Sequence, residues 1–197
     1  MDPGPDLEHH HHHHAGPRWL DMILALSAIL ISGISLSVAV QHGKTMEQMV
    51  KATTWPNLEM ANSDLAPSGD PQISLEVINS GVGPARIEDF EVTYAGRPIH
   101  SGVDLLTACC TPPARPHYIN STVPGRVLPA KDTIPFFVAQ RSAMTDAQWA
   151  QLKSALPKVR STICYCSVLD ECWTNDSEKN RPVEVKACPE PKALYKD

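Results

Sequence analysis

From Met22 to Val40 the chain reads MILALSAILISGISLSVAV, nineteen residues without a charge. As a helix rising 1.5 Å per residue this run spans about 28 Å, close to the ~30 Å hydrocarbon core of a bilayer. Its apolar character continues around every helical face apart from Ser and Gly, whereas a core helix of a soluble domain carries a stripe. Trp19 sits at the start, where an interfacial aromatic is favoured. The sequence therefore predicts a single-pass transmembrane anchor over residues 18–40, with residues 22–40 in contact with lipid. A cleaved signal peptide is the rival reading, since Ser37-Val38-Ala39 is a small-x-small triplet behind Arg18. The run is longer than the ~7–15 residues of a signal-peptide apolar region, which favours an uncleaved signal-anchor.

Ahead of the anchor, residues 1–17 read as an expression tag with a hexahistidine run, His9 to His14, and are set aside. Without Asp2, Asp6 and Glu8, nineteen of the twenty-two acidic residues face seventeen Lys and Arg. This near balance, with no basic cluster, gives no reason to expect a nucleic-acid partner.

Beyond the anchor, residues 41–55 (QHGKTMEQMVKATTW) place Met46, Met49, Val50 and Thr53 at helical spacing, which predicts an amphipathic stalk ended by Pro56. Within the anchor, Ala28/Ser32 and Gly33/Ser37 are small-xxx-small pairs that let helix backbones approach closely. They make a homo-oligomer an expectation, helped by the second apolar seam of the stalk.

From Pro56 to residue 197 the pattern changes to period two. Leu58 to Ala61 alternates, and Ile73, Leu75 and Val77 share one face of a strand from Gln72 to Asn79. The link Ser80-Gly81-Val82-Gly83-Pro84 follows, where Gly81 and Gly83 can take positive φ and Pro84 donates to no ladder. A strand Arg86–Tyr94 ends in a turn at Ala95-Gly96. Asp132–Val138 reads as a strand whose start Pro135 puts at an edge. Thr145-Asp146-Ala147-Gln148 matches a capping box, with Trp149, Leu152 and Leu156 on one face of the helix it opens. Trp149 is read as an anchor to the core rather than as a binding aromatic. Strands over Val159–Val168, Cys172–Thr174 and Pro182–Lys186 complete seven or eight, with one or two short helices and no βαβ rhythm. The expected fold is mainly β: an antiparallel Ig-like sandwich behind a membrane helix and a short helical stalk.

The stretch ISLEVINSGVGPARIEDFEVTYAG, Ile73 to Gly96, resembles the strand–Asn-x-Gly–strand unit of bacterial Ig-like sandwich domains of the CARDB type. The resemblance covers about twenty-four residues and implies that the two strands pack on opposite sheets. It carries no binding residue across, and the cysteines depart from it.

Six cysteines follow the anchor: Cys109, Cys110, Cys164, Cys166, Cys172 and Cys188. An even number fits an oxidising compartment. In a strand Cys164 and Cys166 point the same way with Cα atoms about 6.6 Å apart, so they are expected to bond elsewhere. The short turn after Val168 returns Cys172 beside the strand end. A bond between neighbouring Cys109 and Cys110 would close a small strained ring; on a helix the two diverge by about 100°, and the preferred picture staples their segment onto the Cys164 strand. The full pairing stays open.

Chemistry of other kinds has thin support. The spacings Cys-Cys, Cys-x-Cys and Cys-x5-Cys lack the paired Cys-x2–4-Cys arms of structural zinc, although His117 is a nearby candidate. Arg160 and Lys158 are close to the sulfurs in sequence alone, which is weak support for a low-pKa redox thiol. There is no G-x-S-x-G, no H-E-x-x-H and no phosphate loop. His100 reads as a solvated turn residue, and Asp170-Glu171 as a wet hairpin tip. Asn120-Ser121-Thr122 and Asn175-Asp176-Ser177 match the glycosylation pattern, which says nothing in a bacterium. No cofactor and no metal are expected. The function expected is non-enzymatic: an extracytoplasmic recognition or scaffolding module for a protein partner, on a bacterial inner membrane with its C-terminal domain in the periplasm. The alternative is a cytosol-facing sensor or effector that oligomerises through its helix and binds a ligand or metal; Lys44 and Lys51 after the span, against Arg18 before it, lean that way.

Overall fold

The structure, a computed structural model, describes residues 17–65, 71–110, 118–190 and 194–196. The histidine-rich tag, Pro112, Pro113, Pro116 and His117 lie outside the described residues.

Helix α1 runs Arg18–Thr54 with none of its residues buried, and is long and apolar enough to cross a membrane. Pro56 cannot continue it, because a proline ring excludes the helical conformation for the residue before it. Two compact units are found, Met1–Met49 and Val50–Asp197. The last turn of α1 thus belongs to the second unit, where Lys51 Nζ lies 3.0 Å from Glu171 Oε1.

Among its described residues the second unit contains ten strands: β1 (Leu58–Leu65), β2 (Pro71–Asn79), β3 (Ala85–Tyr94), β4 (Arg97–Ile99), β5 (Tyr118–Asn120), β6 (Val127–Leu128), β7 (Thr133–Gln140), β8 (Val159–Cys166), β9 (Cys172–Asp176) and β10 (Val183–Val185). Helix α2 (Gly102–Cys109) lies between β4 and β5, and helix α3 (Asp146–Ala155) between β7 and β8. Both sheets are antiparallel. One has the order β1-β2-β7-β5 and the other β10-β9-β8-β3-β4, with β6 also pairing β3. The chain passes between sheets from β2 to β3, as the Asn-x-Gly resemblance implies, and again from β7 through α3 to β8.

The core forms where inward faces meet. Phe90 of β3 and Phe136 of β7 pack edge to face with ring centroids 4.9 Å apart. Ile73 and Val77, on the expected face of β2, are fully buried with Leu75 close behind. Phe136 and Phe137 are adjacent yet both buried, because both faces of β7 are covered. Helix α2 lies so close to this sheet that a Cβ at Gly102 would meet the Tyr118 ring at 2.6 Å and Phe137 at 3.0 Å. Ser101 caps α2 by accepting from Asp104 N–H at 3.3 Å. The expected capping box opens α3, with Thr145 and Gln148 bonded reciprocally. Trp149 is half-buried against the core, with the Arg141 guanidinium 5.8 Å from its ring centre.

The structure refines the sequence reading at three points. Gly81 and Gly83 do not have positive φ; only Gly96 and Gly125 do among the described glycines. Their smallness serves close approach instead, since a Cβ on Gly81 would collide with the Asn57 backbone and one on Gly83 with the Thr54 carbonyl. Strand β7 lies inside its sheet, while its start, as expected for Pro135, has a neighbouring strand on one side only. Pro135 is tolerated because β5 covers only Phe137–Ala139, and a bulge between Leu75 and Glu76 breaks the β2 register at that point. The unexpected core residue is Tyr195. Its ring packs edge to face on Phe90 and Phe136, and its hydroxyl donates to Asn120 Oδ1 at 2.5 Å.

Tyr165 of β8 is fully buried. Burial pushes its phenol up to about 12, opposed by the Leu58 backbone and assisted by the charge of Glu59. The folded value exceeds the ordinary 10.0, so the fold holds a proton that the unfolded chain releases, and stability is lost as pH rises from 10.0 through about 12. Denaturation midpoints measured across this window should fall less steeply for Tyr165→Phe than for the parent chain.

Candidate functional site

The described cysteines are all paired, and their placement follows from the β8–β9 hairpin. The turn is built on Ser167, whose buried hydroxyl accepts from Leu169 N–H at 3.1 Å and Glu171 N–H at 3.3 Å. Its N–H donates to Glu171 O at 2.8 Å. Asp170 takes a positive φ of 60°, a conformation aspartate tolerates better than most residues. The hairpin so registered sets Cys166 directly opposite Cys172, and the two are bonded with Cα atoms 4.0 Å apart. This is the return of Cys172 expected from the short turn.

Cys164 lies two residues back on the same face of β8 and, as expected, does not bond Cys166. Its partner is Cys188, which follows β10. The two disulfides converge: Cys166 Sγ stands 4.0 Å from Cys188 Sγ, and the sulfurs of Cys166, Cys172 and Cys188 all lie within 4.8 Å of one another. Opposite Cys164 in the sheet register is Asp89, which is 6% exposed. Burial pushes its carboxyl above the ordinary carboxylate range, the charge of Glu91 adds to the rise, and the Phe90 backbone N–H opposes it.

The third disulfide corrects the sequence reading. Cys109 and Cys110 are bonded to each other, and their segment is not stapled to the Cys164 strand. The 100° divergence supposed both residues to be helical. Cys109 is the last residue of α2, and Cys110 has left the helix with φ −141° and ψ 164°. The sulfurs of β8 are meanwhile occupied by Cys172 and Cys188.

Cys166, Cys172 and Cys188 border an open groove of about 500 Å³ whose walls include Arg86, Glu88, Asp170, Lys186 and Glu190. Arg86 contacts Asp170 Oδ1 at 2.8 Å and Glu88 Oε1 at 3.3 Å across the hairpin tip. These exposed pairs orient the turn and add little stability. A second concavity of about 240 Å³ lies between the sheets, lined by Met60, Leu75, Phe136, Leu156 and Val159. It is smaller than the ~300–1,000 Å³ common for organic ligands.

Elsewhere, Ser32 donates to Ala28 O at 2.7 Å and Ser37 to Gly33 O at 3.0 Å within α1. A Cβ at Gly33 would meet open space. His100 is exposed, with Nδ1 3.3 Å from Leu194 O.

What spacing alone does not reveal is the hub beneath the sheet crossing. Asn79 is fully buried. Its Nδ2 donates to the carbonyls of Gly83 at 2.9 Å and of Leu128 and Pro129 at 3.1 Å. Its Oδ1 accepts from Asn57 N–H at 3.2 Å and Gly81 N–H at 3.1 Å. The Asn of the Asn-x-Gly turn was the visible signal; its role as a bolt between the α1 exit, the crossing loop and the β6–β7 loop was not. Searched against protein-family models, curated proteins and solved structures, the chain matches none of them.

Proposed function

We propose that this chain is a membrane-anchored, non-enzymatic module for extracytoplasmic recognition or scaffolding, and that its sandwich is of the Ig-like kind. The observation that carries the reading is the pairing of all six cysteines as three disulfides in a domain that follows a membrane-length apolar helix. Disulfides persist in oxidising compartments and are rare in the cytosol, where thiols are kept reduced. On this reading the domain faces the periplasm of a bacterial inner membrane, the cross-links hold its shape, and its surface meets a protein partner. Self-association through Ala28, Ser32, Gly33 and Ser37 belongs to the same proposal.

A C-terminal reporter enzyme that is active only in the periplasm is expected to be active, and denatured protein taken from its native membrane without reductant should titrate no thiols. A silent reporter with six titratable thiols would overturn the reading in favour of the cytosol-facing sensor, towards which Lys44 and Lys51 after the span lean.

A further inference from the structure

The convergence of two disulfides has a chemical consequence that stands whichever compartment the domain faces. We propose that Cys164, Cys166, Cys172 and Cys188, once reduced, form a tetrathiolate site for one thiophilic divalent cation of the zinc class, so that two disulfides and one bound metal are alternative states of the same four sulfurs.

The spacing argues for it. Zinc–thiolate bonds of about 2.3 Å in tetrahedral geometry set sulfurs about 3.8 Å apart. Cys166 and Cys188 belong to different disulfides, yet their sulfurs already stand 4.0 Å apart, and Cys172 completes a triangle within 4.8 Å. Neither bond requires this proximity of the other. Cys164, bonded to Cys188, stands outside that triangle and supplies the fourth ligand from the same face of β8 once its own bond is broken. Three of the four ligands stand on or beside one registered hairpin, with Cys166 opposite Cys172. The fourth comes from the segment after β10, itself paired to β9 from Val183 to Val185. The site is reached from the open groove, whose walls hold the carboxylates of Glu88, Asp170 and Glu190 against the cations of Arg86 and Lys186. That balance favours cation entry.

The chemistry balances with a dithiol as reductant. Two equivalents deliver four electrons and four protons to the two disulfides, yielding four thiols, and each dithiol is oxidised to its own disulfide. The four thiols then release four protons on binding one divalent cation, leaving a site of net charge 2−. Thiolates are the ligands zinc and its congeners select, and such binding releases protons and couples to folding.

The test uses the chain in detergent with its histidine tag removed and carrying Cys109→Ser and Cys110→Ser, so that the four cluster sulfurs are the only thiols that can respond. After anaerobic reduction with a dithiol and its removal, cobalt(II) is titrated. One equivalent is expected to bind, with thiolate-to-cobalt charge transfer and the visible bands of tetrahedral cobalt, and one equivalent of zinc should bleach both. Loss of an outer-sphere partner typically costs ~10–100-fold in metal affinity, so Cys188→Ser in the same background should cost at least about a hundredfold. If reduction melts the sheets, zinc should restore the far-ultraviolet β signal. No tetrahedral spectrum, affinity unaltered by Cys188→Ser, or a reduced chain that stays unfolded in saturating zinc would overturn the proposal.

Discussion

Asn79→Leu is expected to cost the domain about 4 kcal/mol, a large share of the ~5–15 kcal/mol that holds a domain together. The side chain is buried and engages five backbone groups; Pro129 O keeps the Asp132 N–H at 3.3 Å, and the loss deprives the carbonyls of Gly83 and Leu128 and the N–H groups of Asn57 and Gly81 of this partner. A buried group left without a partner costs about 1–3 kcal/mol, and partial relaxation keeps the total below the simple sum. Asn79→Asp separates shape from chemistry. It keeps an acceptor for Asn57 and Gly81 but turns a carboxylate towards the carbonyls of Gly83, Leu128 and Pro129. Its loss should rival that of leucine at neutral pH and ease in acid, where the protonated carboxyl can donate again. Urea denaturation at two pH values measures both. Ser80→Ala, beside it but half-buried, should cost no more than about 1 kcal/mol.

The second large effect ranks the disulfides. Cross-linking removes freedom from the unfolded chain according to the length of loop closed, and the three bonds span separations of 24, 6 and 1 residues. Loop entropy then gives about 3.5 kcal/mol for Cys164–Cys188, about 2.3 kcal/mol for Cys166–Cys172, and almost nothing for Cys109–Cys110. Paired Cys→Ser variants should lose stability in that order under non-reducing conditions. A Cys109/Cys110 variant as damaged as the Cys164/Cys188 one would show that the neighbouring pair acts through local packing at the end of α2.

The elements that could be read from sequence were those whose signal is local. Strand β2 places Ile73, Leu75 and Val77 on the face that meets the core, β3 resumes alternation from Phe90 after a bulge between Ile87 and Asp89, and the Thr145 box announces α3 through contacts three residues apart. Strands β4, β5 and β6, at three, three and two residues, show no apolar alternation, whereas the equally short β10 does in Val183-Glu184-Val185. Pro135 was read correctly as disruptive, but its tolerance depends on where β5 ends, which is a fact about another part of the chain. The sulfur partners failed in the same way. Cys166 and Cys172 were legible because a turn joins them, whereas Cys188 reaches Cys164 only through the β9–β10 pairing. The Cys109–Cys110 bond hinges on one backbone conformation at the residue where α2 stops.

Tyr195 has a consequence for biogenesis. Phe90 and Phe136 emerge from the ribosome well before the ring that caps them, so an apolar mouth between the sheets stays open while the intervening chain is made. Tyr195 N–H bonds to Phe90 O and Lys196 N–H to His100 O, latching a late-arriving segment along β3. Closure of the core must therefore await that segment's synthesis, and nascent domains would need shielding until the latch arrives.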